Sequence, residues 1–105
     1  MRRSAVSGEP AAFTLARFEP LVGSRFMLRV DDAASLPADL VEATAGRHAR
    51  PDGQAAFSLT FEGPPEPALP QRIYRLEHPA LDPIDLFLVP VARTATGLHY
   101  EAVFG

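Results

Sequence analysis

The stretch from Gln71 to Val91, Q-R-I-Y-R-L-E-H-P-A-L-D-P-I-D-L-F-L-V-P-V, decides the fold. Tyr74 and Leu76 alternate with Arg75 and Glu77, and Ile84, Leu86 and Leu88 alternate with Asp85, Phe87 and Val89. A period of two with aromatic and branched residues, interrupted at a proline-containing kink, predicts an antiparallel hairpin with H-P-A-L-D at its turn. Aligning the apolar faces fixes the register. Tyr74 then stands opposite Leu86 and Leu76 opposite Ile84, leaving Arg75 across from Asp85 and Ile73 across from Phe87. A slip of two residues would face Glu77 with Asp85, and like charges directly opposite are destabilising.

Working outward, A-R-T-A-T-G (residues 92–97) predicts a turn, and Leu98, Tyr100, Ala102 and Phe104 define the core face of a last strand. Pairing Leu88 with Tyr100 and Ile84 with Phe104 keeps that face continuous. Pro90 is then expected at an edge or a bulge, because it has no amide hydrogen to donate to a ladder.

Ala56 to Glu62 alternates most cleanly, with Phe57, Leu59 and Phe61 against Ser58, Thr60 and Glu62. Residues 63–71 hold four prolines and predict a stiff surface connection. Ser24 to Val30 predicts a half-buried strand with Phe26, Leu28 and Val30 inward. Asp31 to Asp39 is expected to be a polar connection and Leu40 to Arg47 a weaker strand. Pro51-Asp52-Gly53 has turn chemistry. Near the N-terminus, Thr14 is expected to cap one helical turn that carries Leu15 and Phe18 on one face and that Pro20 and Gly23 stop. Residues 1–12 show no packing pattern and are expected to form a flexible tail ahead of a single β domain over 13–105.

The core faces collect Phe26, Leu28, Val30, Phe57, Leu59, Phe61, Tyr74, Leu76, Ile84, Leu86, Leu88, Leu98, Tyr100 and Phe104. One open sheet cannot bury them all against a short helix. The expected fold is all-β, with about six antiparallel strands in a small barrel or compact sandwich and a short N-terminal helical segment.

Composition narrows the function classes. The 105 residues are 47% hydrophobic and 22% charged, with a net charge of −3. No basic field favours nucleic acid or an anionic membrane surface. With no cysteine there is neither a disulfide nor a thiolate site. Arg2 and Arg3 lack the apolar stretch of roughly 7–15 residues that a secretory signal carries, so the cytoplasm is expected.

Candidate chemistry is sparse. His48, His78 and His99 show no metal-ligand spacing. Glu77, Asp82 and Asp85 cluster at the hairpin tip, where turn chemistry and pairing with Arg75 account for them. Ser24, Ser35 and Ser58 lack a nucleophile-elbow context. Arg47, His48 and Arg50 form a small basic loop without aromatic neighbours. No catalytic, metal or cofactor residue is assigned, and no cofactor is expected. Met27, Ile73, Phe87, Val89 and Val91, together with Val103, fall on the outer face. Contiguous exposed apolar surface usually marks a contact. These residues are the candidate interaction surface, for a protein partner or for self-association.

The segments F-T-L-A-R-F-E-P-L-V-G-S-R-F, F-S-L-T-F-E-G-P, Y-R-L-E-H-P-A-L-D-P-I-D-L-F-L-V-P-V and Y-E-A-V-F resemble a small bacterial family of unknown function over residues 13 to 104. The resemblance carries no site residues and implies phage-tail-like neighbours. The leading expectation is a non-enzymatic interaction or structural module of such an assembly. One alternative is a small-molecule-binding barrel with an open cavity lined by Phe57, Phe61, Tyr74 and Tyr100. Another is a small hydrolase or isomerase that sets His78 or His99 against Glu77, Asp82, Asp85 or Glu101 in a cleft.

Overall fold

A computed structural model describes residues 14–49 and 55–104. Six strands follow one short helical segment: α1 (Leu15–Phe18), a 3-10 turn (Glu19–Leu21), β1 (Arg25–Arg29), β2 (Ser35–Ala49), β3 (Ala55–Gly63), β4 (Arg72–His78), β5 (Leu81–Arg93) and β6 (Leu98–Phe104). The strands close into an antiparallel barrel in the order β1-β2-β3-β6-β5-β4, with β4 returning to β1. Closure removes the open edges that a six-stranded sheet would otherwise present, and the inward side chains become one shared core.

The hairpin β4–β5 has the register that the side-chain pattern dictates. Tyr74 faces Leu86, Leu76 faces Ile84, Arg75 faces Asp85 and Ile73 faces Phe87. Its turn is tighter than expected. Only Pro79 and Ala80 lie outside the strands, and a bulge between Leu76 and His78 absorbs the odd residue. Asp82 and Pro83 therefore belong to β5.

The pairing of β5 with β6 is two residues away from the expected one. Pro90, not Leu88, stands opposite Tyr100, and the ladder is irregular between Pro90 and Ala92. Counting from the intact alternation of Ile84, Leu86 and Leu88 cannot anticipate this offset, because the bulge falls beyond them. Pro90 itself sits beside a bulge, as its missing donor requires.

The expected connection over residues 31–39 is instead a tight turn followed by strand. Val30 N–H donates to Ala34 O at 2.9 Å, and Asp31 Oδ1 accepts the amides of Ala33 (2.8 Å) and Ala34 (2.9 Å). β2 starts at Ser35 and carries Pro37 opposite Met27. Pro37 reads as a breaker, yet Leu36, Ala38 and Leu40 keep a period of two around it. Bulges near Val41 and beyond Ala45 obscure the rest of this long strand. Thr14 does precede α1, in extended backbone, but its side chain makes no capping bond. Pro20 does not stop the segment; it occupies the first turn of the 3-10 stretch, where a missing amide costs nothing. The expected tail (1–12) and the Pro51-Asp52-Gly53 turn lie outside the described residues.

Two plugs complete the core. At the end where β3 begins and β6 finishes, buried Phe18 of α1 lies 6.0 Å from both Phe57 and Phe104, which stack on each other at 4.4 Å. At the opposite end the proline-rich segment is not confined to the surface: Leu69 is buried. Its amide donates to the Tyr100 hydroxyl at 3.1 Å, and the Tyr74 hydroxyl donates to Pro70 O. Both tyrosines thus bury their rings while their polar ends fasten the segment.

Candidate functional site

Among the described residues the core holds no buried charged side chain, and its two tyrosine hydroxyls are already bonded, Tyr100 to the Leu69 amide and Tyr74 to Pro70 O. Phe57, Phe61, Tyr74 and Tyr100, the four that would line a ligand cavity, are at most 2% exposed and packed within the core cluster.

The histidines that are described meet partners other than the carboxylates at the hairpin tip. His78 Nε2 lies 2.9 Å from Ser24 Oγ, and Ala80 N–H donates to His78 Nδ1 at 3.0 Å. With Nδ1 accepting, the proton of the neutral ring sits on Nε2 and points to Ser24, whose own hydroxyl donates to Leu21 O. A nucleophilic serine needs an imidazole nitrogen able to accept its proton. Here the polarity runs the other way. The chain Ala80–His78–Ser24–Leu21 is a latch that holds the 3-10 turn against the β4–β5 turn, with the His78 ring packed 4.6 Å from Phe26.

His99 Nε2 reaches Glu62 Oε2 at 3.2 Å, and the same oxygen receives Thr96 Oγ1 at 2.8 Å and Thr94 Oγ1 at 3.1 Å. This polar cluster fastens the β5–β6 turn to β3. The hydroxyls of Thr96 and then Thr94, more than His99, hold the Glu62 carboxyl below its ordinary value. Arg75 does the same for Asp85, chiefly through hydrogen bonds at 3.0 and 3.4 Å. Arg75 also faces Arg29 across the seam that closes the barrel, so Asp85 offsets a like-charge pair there.

A pH dependence follows. A carboxyl whose folded pKa is depressed adds stability in full above its unfolded value and loses it as pH falls through the folded one. Thermal stability should therefore fall steadily on acidification below about pH 5. Asp85→Asn or Glu62→Gln should flatten that slope in a melting series taken from neutral to acid pH.

No group of three or more His, Cys, Asp or Glu among the described residues is placed to hold a metal ion. No helix among them is long and apolar enough to cross a membrane. The side chains of Arg47, His48 and Arg50 lie outside what is described.

The outer wall is different. Ile73 (63% exposed) and Phe87 (52%) form a direct cross-strand pair, and Val103 on β6 is 70% exposed. Val89 is half-buried one alternate position along β5. Among the described residues the β5–β6 ladder runs only from Arg93↔Leu98 to Val89↔Glu101. Beyond that rung the two strands part and frame a groove of about 400 Å³, lined by Asp85–Phe87, Val89 and Glu101–Phe104. Extending the register past Val89↔Glu101 sets Phe87 and Val103 on facing banks of it.

Of the residues marked by the sequence, Ile73, Phe87 and Val89 thus come together. Met27 does not, since it pairs with Glu77, two alternate positions along β4 from Ile73 with Arg75 between. Val91 is exposed but lies at the irregular stretch past Pro90. Exposed Val22 and Val41 carried no pattern signal, because one is in a turn and the other is at a bulge.

Fold and surface together define a small, closed, core-packed antiparallel β-barrel with an apolar groove in its outer wall. The chain belongs to the family described as Domain of unknown function (DUF6916), whose model matches residues 13–104. No curated protein and no solved structure matches it.

Proposed function

We propose that this barrel is a non-enzymatic interaction module that contacts a protein partner through the outer face of β4, β5 and β6. The observation that supports this is the contiguous apolar surface of Ile73, Phe87 and Val103 beside the groove, on a domain whose interior is filled by its own side chains. Exposed apolar surface costs solubility, so its concentration around one opening favours a contact role. A phage-tail-like assembly is the setting that the sequence resemblance suggests for such a module.

The reading is tested by selecting a displayed random-peptide library on the immobilised wild-type domain alone and then measuring the selected peptides against Phe87→Asp. Phe87 is half exposed, so the variant should keep the wild-type circular dichroism spectrum, with Val103→Asp as a second probe. Synthetic peptides from the selection should bind the wild type and lose about thirtyfold in affinity on Phe87→Asp, the effect of removing an aromatic anchor. Equal binding to wild type and both variants would sink the proposal.

A further inference from the structure

Resting on that reading, we infer that the groove between β5 and β6 takes an extended, basic segment of a partner protein, added as a β-strand. Three observations converge on this occupant. The first is the ladder. β5 and β6 are bonded from Arg93↔Leu98 to Val89↔Glu101 and then separate, so along Phe87–Leu88 and Ala102–Val103 no rung joins them among the described residues. These residues pair with β4 and β3 on their other side, so alternate amides and carbonyls of each bank face the groove. Strand addition is the mode of recognition that pairs such groups on both banks at once. A docked helix would satisfy none.

The second observation is the spacing of the apolar side chains. Phe87 and Val89 are alternate residues of one bank, and Val103 stands on the other. Successive side chains of an inserted strand point to opposite faces, so a segment with apolar residues at alternate positions would lay one set against Phe87, Val89 and Val103. The third observation is charge. Glu101 lines the groove at its closed end, half-buried, and no hydrogen bond or ion pair engages its carboxylate among the described residues. Asp85, towards the other end, is already held by Arg75. A Lys or Arg on the incoming segment would meet Glu101, and the net charge of −3 favours a basic partner over a second copy of the chain.

The peptides selected as above supply the test, by titration calorimetry on the full chain. The inference expects apolar residues at alternate positions and a Lys or Arg at one flank. It also expects N-methylation within the stretch lying between β5 and β6 to weaken binding about tenfold or more, because successive amides face the two banks in turn, with methylation outside that stretch neutral. Glu101→Gln should weaken binding about two- to fivefold and reduce its salt dependence. Peptides that lose affinity on Phe87→Asp yet tolerate N-methylation throughout, or that bind as helices, would overturn strand addition and leave the interaction reading standing. Peptides indifferent to Phe87→Asp would overturn both. A dimer by light scattering that Phe87→Asp abolishes would make a second copy the occupant and overturn the partner proposed here.

Discussion

Phe18→Ala should lower the unfolding free energy by about 3–5 kcal/mol, the range found when a buried aromatic is truncated and its cavity only partly collapses. Phe18 is 1% exposed and is the side chain by which α1 closes one end of the barrel, against the stacked pair Phe57 and Phe104. A domain of this size is stable by roughly 5–15 kcal/mol, so the loss is a large share of the whole. Urea titration should show a reduced midpoint with little change in slope. Phe104 also lines the groove, so the variant should exchange the amides of the last residues of β6 faster and bind groove-selected peptides more weakly. Phe18→Leu, which keeps most of the volume, should cost much less. A Phe18→Ala protein within about 1 kcal/mol of wild type would show that the helix is a passenger and not a plug.

Gly97→Ala should be the second most damaging change, at about 1–3 kcal/mol or more. Gly97 ends the β5–β6 turn, where its amide donates to Thr94 Oγ1 at 3.1 Å and its carbonyl accepts Thr94 N–H at 2.8 Å. A Cβ there would overlap the carbonyl oxygen of Gly63 and approach Glu62 Cγ to 3.1 Å. The obstruction is backbone at the last rung of the β3–β6 ladder, so it cannot rotate away as a side chain would. Relief would require β3 and β6 to separate at Gly63↔Leu98 and would pull Glu62 from Thr94 and Thr96. Gly23 is the control of opposite kind. It has φ +93° and nothing within 4 Å of its Cβ position, so alanine there meets conformational strain without collision. Strain of this type costs about 1–2 kcal/mol. Thermal melts of the two alanine variants should rank Gly97 below Gly23, and the reverse order would mean that β3 and β6 yield easily at this end.

Much of the architecture was legible because the determining signal is local. Alternation in Ala56–Glu62, Arg72–Glu77 and Ile84–Val89 depends only on which side of an extended backbone each residue faces. The charges of Arg75, Glu77 and Asp85 then sufficed to choose among registers of a short hairpin. The outer-face pair Ile73 and Phe87 followed from the same register without any knowledge of the barrel.

What the tertiary structure alone decided involves residues far apart in the chain. Closure through β1 and β4, the two-residue offset of β5 on β6, the burial of Leu69 and the parting of β5 from β6 beyond Val89 each depend on distant segments meeting. A bulge shifts every pairing beyond it, yet leaves almost no mark in the periodicity of either strand. The period of the side chains therefore determined that this chain folds as an antiparallel β structure with an apolar outer pair. Where the wall of the barrel opens was settled only by hydrogen-bonding geometry between strands.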